Sequence, residues 1–454
     1  MNKPIRSAAT CIAAAALMLA CGSAAAKVTP QEAAHLGQDL TPVGAEKAGN
    51  KEGTIPAWTP IAQHGSLAGE YFSDPKIDAE KPLYTITKAN MAQYAARLSE
   101  GHKKLLQSYD DYKMNVYPTH RIVNWPDWIM KTTATNATNC EIIGTDTLDN
   151  CKQGFPFPIP KTGAEPVWNH KLKWRGDQVT RYNNQMIVQP NGQFQITKII
   201  EDVTFSYSNS KNPVPLTKTS GEFLKYLSHT IAPPRLAGTY ILVHEKAGTG
   251  AEGRAAWLYS PGLRRIRRAP TVCCDNPYEG TDGHQFYDQV DMFNGVLERY
   301  NWKLIGKKEM YVTYDSDLIS GPKVKYKDLA APHHLNQNLP RYELHRVWVV
   351  EASIKPGTSH TFKKRVMYID EDGWNIILVD DYDNRDQLYQ FQEGHYTFAS
   401  NILAGSTVPE VIYHFTSGRY FVTAMINEDK PNNFNVNFPP NYFTPEAVQK
   451  STTR

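Results

Sequence analysis

The stretch that decides the fold is AAWLYSPGLRRIRRAP, residues 255–270. Its first half, residues 256–259, predicts a strand because aromatic and branched side chains fit a pleated, half-buried surface. Residues 260–262 predict a turn, since Pro261 presets one turn dihedral and Gly262 tolerates the other. A second strand follows at once, so the stretch predicts an antiparallel β-hairpin.

The second strand of this hairpin carries an excess of positive charge. Strand side chains alternate, so Arg264 and Arg268 are expected on the face of Ile266, with Arg265 and Arg267 on the other. An arginine that faces inward must find carboxylate or ligand oxygens, because an unpaired buried charge costs several kcal/mol. We interpret the four arginines first as ion-pair partners of acids in the following loop, and second as a docking site for an anionic head group or a partner protein. The acids considered are Asp288, Asp291 and Glu298.

The composition is that of a globular protein. Of the 454 residues, 21% are charged and 41% are hydrophobic. The formal net charge is +3, and removal of Lys3 and Arg6 with the leader described below leaves +1. A nucleic-acid-binding chain is expected to show a clear basic excess, so the composition argues against a nucleic-acid partner.

The N-terminus has the pattern of a secretory signal peptide. A short basic region precedes an apolar run from Ala8 to Ala20, and small residues lead up to Lys27. The apolar run is too short for a membrane span. We predict cleavage after Ala26, with a lipid anchor on Cys21 as the alternative.

Four cysteines follow this leader. Cys140 and Cys151 flank the turn-forming segment EIIGTDTLDN, and in an exported chain we predict that they form a disulfide. For the adjacent Cys273 and Cys274, three interpretations stay open: a strained disulfide ring, a redox switch and a zinc site. No Cys-x-x-Cys motif or histidine cluster lies near them in the sequence.

The chain changes character along its length. Helical spacing dominates before about residue 176, and period-two alternation with short turns dominates after it, which predicts sequential antiparallel strands. We therefore divide the chain into a signal peptide (1–26), an extended arm (27–83), a helical region (84–176), an antiparallel β meander (177–430) and a tail with a short helix (431–454). Residues 27–454 are expected to form one compact domain.

Alternation within single strands indicates how the sheet is covered. In the strand 341–354, Tyr342, Leu344 and Trp348 share one face, whereas Glu343 and His345 share the other, so we expect cover on one side and water on the other. Residues 366–369 and 376–379 are apolar on both faces and need cover on both. The predicted fold is mainly β, of the α+β class: a large, curved antiparallel sheet with an apolar concave face and helices packed on it.

No familiar catalytic motif is present. The sequence lacks a Gly-x-Ser-x-Gly elbow, a phosphate-binding Gly-x-x-x-x-Gly-Lys loop, a His-Glu-x-x-His pair and a dinucleotide fingerprint. The sequence therefore names no catalytic residue, no cofactor and no metal site. Scattered carboxylates and histidines can still converge in a fold, so a hydrolase of unknown substrate stays open as an alternative.

Several segments resemble an uncharacterised family of exported Gram-negative proteins, itself similar to outer-membrane lipoprotein-sorting proteins of the LolA and LolB kind. The resemblance implies a half-open antiparallel barrel in the periplasm whose concave apolar face holds acyl chains or another hydrophobic molecule, with helices as a lid. It also implies partners among outer-membrane barrel proteins and inner-membrane exporters of the resistance-nodulation type. The segments are Thr29–Trp58, Tyr117–Arg121, Gly154–Pro160, Trp257–Arg268, Asp291–Gly295 and Trp302–Lys303.

The function predicted from these observations is that of a periplasmic carrier or chaperone for a lipid or another hydrophobic molecule. The alternatives are a periplasmic hydrolase and a non-catalytic scaffold of an envelope export assembly, docked through the arginine hairpin. We expect large apolar and aromatic side chains to line the cavity. The candidates are Trp257, Tyr259, Trp348, Tyr368 and Ile376.

Overall fold

The computed structural model describes residues 27–60, 66–67, 71–72, 74–248 and 253–452. The predicted leader, residues 1–26, lies outside these ranges, so its cleavage and the anchor at Cys21 stay predictions. Among the described residues, no helix is long and apolar enough to cross a bilayer.

Strands contain more of the described residues than helices do, and the helices are short. The strands are β1 (Ser66–Leu67), β2 (Tyr71–Phe72), β3 (Tyr84–Ile86), β4 (Met114–Val116), β5 (Glu141–Ile143), β6 (Thr147–Asp149), β7 (Gln178–Tyr182), β8 (Asn184–Val188), β9 (Phe194–Phe205), β10 (Glu222–Ala232), β11 (Tyr240–Lys246), β12 (Arg254–Ser260), β13 (Arg265–Arg268), β14 (Tyr300–Thr313), β15 (Tyr342–Ile354), β16 (Lys364–Asp370), β17 (Ile376–Tyr382), β18 (Leu388–Ala399), β19 (Ala404–His414) and β20 (Tyr420–Met425). The helices are α1 (Pro30–Ala33), α2 (Pro75–Asp78), α3 (Glu100–Ser108), α4 (Asp127–Asn139), α5 (Ala164–Leu172), α6 (Asp317–Ser320), α7 (Tyr326–Leu329) and α8 (Pro445–Ser451), with 3₁₀ turns at Met91–Arg97, Tyr287–Gln289 and Leu297–Arg299.

Sixteen of these strands form one sheet. Its order is β13, β12, β11, β10, β9, β8, β20, β19, β18, β17, β16, β15 and β14, with β7 beside the second half of β9 and with β4 and β3 beside the start of β15. Pairing is antiparallel except at one parallel pair between β4 and β15. Among the described strands β13 and β14 do not pair, so the sheet stays open. The predicted fold class, a mainly β chain with a large curved antiparallel sheet and helices packed on it, is confirmed.

The helical region covers the central strands. Helix α3 packs on β17 and β18, and α5 packs on β14 and β16. The Asp380 carboxylate on β17 accepts hydrogen bonds from the backbone amides of Glu100 and Gly101, at 3.1 and 2.8 Å, which satisfies two donors that the first turn of α3 leaves unpaired. Helix α3 is therefore attached to the sheet by its N-terminus as well as by its apolar face.

The predicted hairpin is present as β12 and β13, with Trp257 opposite Arg268 and Tyr259 opposite Ile266. Arg264 has φ +49° and lies in the turn, so it does not share the face of Ile266 as expected; Arg268 does. Helix α8 closes this edge of the sheet, because the Gln449 side chain accepts a hydrogen bond from the Ile266 amide at 2.9 Å. A capped edge strand is protected from pairing with another chain.

Strand β15 corrects one expectation. The face predicted to be wet is buried, with Glu343 0% and His345 1% exposed. Glu343 accepts hydrogen bonds from the Arg341 side chain at 2.6 Å and from the His120 amide at 2.8 Å. Polar residues on this face are therefore buried because other polar groups of the chain replace water, which alternation alone does not reveal.

A coil segment, residues 270–296, lies over one face of β9 to β12. We call it the covering segment, and the sheet face below it the groove face. Val272, Tyr278 and Tyr287 of the covering segment form a small core with groove-face residues such as Ile241 and Ala256. The opposite face of the same strands packs on the C-terminal tail, through Phe443 and Val448.

Candidate functional site

The space between the groove face and the covering segment is the candidate site. A cavity of about 70 Å³ lies there, and cavities of about 50 and 40 Å³ share Arg175 and Arg181 with it. Side chains of alternating strand positions form its apolar wall. These wall residues are Val203, Phe205, Leu224, Tyr226, Ile241 and Val243.

The covering segment fills most of this groove. Tyr278, Tyr287 and Phe293 point into the cavity, and the Tyr278 hydroxyl lies 3.2 Å from that of Tyr226. The remaining volume is far below the roughly 300–1,000 Å³ of sites that hold drug-sized ligands. A ligand of that size therefore fits only if the covering segment moves.

Asp291 of the covering segment organises the charges at one end of the groove. Its carboxylate lies 2.9 Å from Lys173 Nζ and 2.6 Å from Arg175 Nη1, both just beyond the end of α5. Burial alone would raise the pKa of Asp291, but the charges of Lys173 and Arg175 hold it well below its usual range. His170 accompanies them; burial, reinforced by Lys173, lowers its pKa to about 3, so the imidazole is neutral.

Two more ion pairs line the same end. Arg181 binds Glu201 at 2.7 Å, and Arg254 binds Glu245 at 2.5 Å. Lys171 donates to the Gly295 carbonyl at 2.7 Å. The five cations of this cluster therefore outnumber its three paired acids, Asp291, Glu201 and Glu245. Burial raises the pKa of the nearby Glu410 to about 8, helped by the charge of Asp291, so Glu410 is mostly neutral at pH 7.

Unused donors remain in this cluster. Within the described part of the chain, the Nε–H groups of Arg175 and Arg254 are buried and have no hydrogen-bond acceptor. Both side chains line the cavity. The groove therefore combines an apolar aromatic wall with a positively charged end that can accept an anionic group.

Glu410 makes stability depend on pH in an unusual direction. A carboxyl whose pKa is raised from 4.5 to about 8 on folding binds its proton more tightly in the folded state. Its contribution is complete below about 4.5 and is lost as the pH rises toward about 8. We expect the free energy of unfolding of Glu410→Gln, measured with urea, to depend less on pH between about 4.5 and 8 than that of the wild type. Glutamine keeps an acceptor for Thr407 Oγ1. A variant with the wild-type slope would contradict the assignment.

The structure places the five predicted cavity residues elsewhere. Trp257 and Tyr259 lie on the face that packs on the C-terminal tail. Trp348 lies under Lys307 Nζ at 4.9 Å, the Tyr368 hydroxyl donates to Asp380 at 3.0 Å, and Ile376 is in the main core. None of the five lines the cavities of the described groove. Their contact with a ligand stays a prediction.

Two of the three acids expected to pair with the hairpin arginines, Asp288 and Asp291, pair with other residues in the described part of the chain. Asp288 binds Arg365 at 3.0 Å and His360 at 2.9 Å, and Asp291 binds the cations at the end of α5. Arg265, Arg267 and Arg268 are exposed on the edge strand. Arg268 lies over the Trp257 ring, 4.8 Å from its centroid, on the face that packs on the C-terminal tail. Docking of a head group or partner on Arg264, Arg265, Arg267 and Arg268 stays a prediction.

Cys140 and Cys151 form the predicted disulfide. Cys273 and Cys274, at the start of the covering segment, are free thiols with their sulfurs 2.7 Å apart. The pKa of Cys273 is lowered to about 7, first by a hydrogen bond from the Cys274 thiol and then by Arg254 and Arg299.

Cys273 should therefore be the more reactive of the two. We expect iodoacetamide at neutral pH to label Cys273 before Cys274 in peptide mass mapping, because the thiolate is the nucleophile. The Cys273→Ala variant should lose the fast-labelled peptide, and equal labelling of both thiols in the wild type would contradict the asymmetry.

Sequence analysis did not identify the cations at the end of α5. Their signal is the run KLKWR, residues 171–175, where basic side chains alternate with apolar ones directly after a helix. Asp291 is part of a segment quoted for the family resemblance, but its position beside these cations follows only from the fold.

Comparison with known proteins places the chain in a family. An uncharacterized protein of Pseudomonas aeruginosa is 40% identical over 444 residues, which is 97% of each chain. Three solved structures show weaker likeness: a DUF1329 family protein from Desulfovibrio piger (13% identity, 60% of this chain and 92% of that one, TM-score 0.41), a putative outer-membrane lipoprotein-sorting domain from Vibrio parahaemolyticus (15%, 63% and 98%, 0.43) and a LolA superfamily protein from Nitrosomonas europaea (11%, 62% and 97%, 0.37). Residues 85–449 match the family described as protein of unknown function, DUF1329, and the chain belongs to this family.

Proposed function

We propose that the chain works in the periplasm as a carrier of an amphiphile with an acyl or similar apolar tail and an anionic head group. The observation that carries the proposal is the groove itself, an apolar wall on β9 to β11 that ends at the cations Arg175, Arg181 and Arg254. The tail would lie along the wall, and the head group would meet the cationic end. The resemblance to lipoprotein-sorting proteins points to the same class of cargo.

The covering segment is the movable part of this carrier. It has only one short 3₁₀ turn of its own, Tyr287–Gln289, and its apolar side chains occupy the space that a tail would take. No strand of the large sheet lies within the covering segment, so the segment can open without breaking the hydrogen bonds between the strands below it. In the ligand-free protein the covering segment thus keeps the groove dry, and the ligand replaces it.

The test uses cis-parinaric acid, a fluorescent fatty acid, with the full mature chain purified without detergent. We expect saturable binding by the wild type and a large loss of binding for Val243→Asp, which puts a charge on the groove wall. Leu263→Asp is the matched control, because Leu263 is 47% exposed in the turn between β12 and β13. Equal binding by both variants, or no binding by the wild type, would overturn the proposal.

A second experiment tests whether the cationic end of the groove binds the head group. Arg175→Gln should lower affinity for cis-parinaric acid while affinity for the uncharged probe N-phenyl-1-naphthylamine stays close to that of the wild type. Asp291 keeps Lys173 as its partner in this variant, so the local fold is retained. An equal loss of affinity for both probes would show that Arg175 does not interact with the charge of the ligand.

A further inference from the structure

A second cluster of buried polar groups lies away from the groove, on β15 and on the turn between β16 and β17. His345, Asp370 and Asp372 each offer one ligand atom, and these atoms lie within 4.8 Å of one another. All three side chains are buried. Ligands of one ion at about 2.0–2.4 Å are at most about twice that distance apart, so this spacing fits coordination of a single cation.

The outer contacts of these three residues match those of metal ligands. His345 Nε2 lies 3.1 Å from a Glu343 carboxylate oxygen, which leaves the other ring nitrogen for an ion. Arg121 donates to both oxygens of Asp372, at 2.9 and 2.6 Å. Carboxylates and guanidinium groups in such positions orient the side chains that bind the metal and fix the histidine tautomer.

Asp370 is the acid that lacks a counter-charge. Its Oδ2 accepts from the Gly373 amide at 2.6 Å and from the Tyr314 hydroxyl at 3.3 Å. Its Oδ1 is buried and has no partner among the described residues, and the same holds for Asn375 Oδ1 on the same turn. A buried carboxylate oxygen without a donor or cation is costly, so the cluster has a place for a positive group that the chain does not supply.

A cavity of about 260 Å³ lies next to the outer contacts of the cluster. Asp315, Asp317, Lys323 and Arg341 line it, and Arg341 also binds Glu343 at 2.6 Å. Neither Asp315 oxygen has a hydrogen-bond donor within the described chain, and the Asp315 carboxyl lies beside that of Glu343, the partner of His345.

We propose that His345, Asp370 and Asp372 form a site for a divalent transition metal of the Mn²⁺ or Zn²⁺ type. One imidazole nitrogen with carboxylate oxygens is a donor set that suits these ions. The ion ties β15 to the turn after β16 and, through Arg121, to the segment that precedes α4. It stabilises the side of the sheet remote from the groove and is independent of the ligand proposed above.

The test is metal uptake by the full mature chain after treatment with EDTA. Wild-type protein incubated with Zn²⁺ or Mn²⁺ and passed through gel filtration should retain about one ion per chain by elemental mass spectrometry, with a rise in Tm. Asp370→Asn should lose the ion, and so should His345→Gln. Asp380→Asn, which alters another buried carboxylate of the neighbouring strand β17, should keep it.

Two results would overturn the site. One is a wild-type chain that retains neither Zn²⁺ nor Mn²⁺, or that prefers Ca²⁺ or Mg²⁺. This result on the wild type would exclude the proposed site even if a variant fails to fold. The other is retention by Asp370→Asn equal to that of the wild type. Metal-free Asp370→Asn is expected to fold, because it removes a buried carboxylate that has no counter-charge.

Discussion

Replacing Asp291 with asparagine should destabilise the folded chain by about 3 to 5 kcal/mol, because the change leaves buried cations without their counter-charge. Lys173 and Arg175 both depend on this carboxylate, and Lys173 is 1% exposed. Asn fits the site sterically and tolerates the left-handed backbone of residue 291, whose φ is +54°. The expected loss of stability therefore results from the missing charge and not from a change in side-chain shape.

Urea unfolding at neutral pH measures this effect. Asp386→Asn is the control, because Asp386 pairs with Lys363 at 2.6 Å on the surface with 62% of its side chain exposed. Surface pairs contribute little, so the control should stay within about 0.5 kcal/mol of the wild type. If Asp291→Asn lost no more than this control, Asp291 would not be the residue that holds the charged end of the groove together.

Loosening the covering segment should increase ligand affinity. Tyr278→Ala combined with Tyr287→Ala removes two buried rings that pack against the groove face. Truncation of such side chains costs at least about 2 kcal/mol, and here the cost falls on the closed state alone. Since each 1.4 kcal/mol changes the open fraction about tenfold, the apparent Kd for cis-parinaric acid should fall roughly tenfold or more.

The matched control lies on the other face of the same strands. Phe438 and Tyr442 belong to the C-terminal tail that covers the face opposite the groove. Phe438→Ala with Tyr442→Ala should lower stability without increasing affinity. Unchanged or weaker binding by the covering-segment variant would mean that this segment does not shield the ligand site.

Local sequence rules predicted much of the fold. The run Thr29-Pro30-Gln31-Glu32 has the sequence pattern of a capping box, and this box is present at the start of α1. The hairpin register follows from turn chemistry and alternation. These features are decided by residues a few positions apart, which a single sequence shows directly.

Strand β18 (Leu388–Ala399) could not be predicted from such local rules. It carries Gln392, Glu393 and His395, which lack the apolar alternation of a strand, yet all three are buried. Gln392 donates to Asp381 at 2.8 Å, and Glu393 lies 2.8 Å from His102. Their burial depends on partners far away in the sequence, and no local pattern reveals such partners.

The candidate groove and the predicted cavity residues lie on different parts of the fold, and contact of those residues with a ligand stays a prediction. An apolar groove on an open sheet agrees with the expected architecture. The groove residues differ from the predicted ones because the covering segment packs on only one face of β9 to β12. That face carries Val243, whereas Trp257 lies on the opposite face. Alternation assigns Val243 and Trp257 to opposite faces, but it does not show which face a distant segment will cover.

Photolabelling tests the central claim most directly. A fatty acid that carries a diazirine on its tail, bound to the wild-type chain and irradiated, should label peptides of β9, β10 and β11 on the groove face, and excess unlabelled fatty acid should suppress the labelling. Labelling confined to the C-terminal tail or to the β12–β13 hairpin, or no saturable labelling at all, would contradict a ligand site beneath the covering segment.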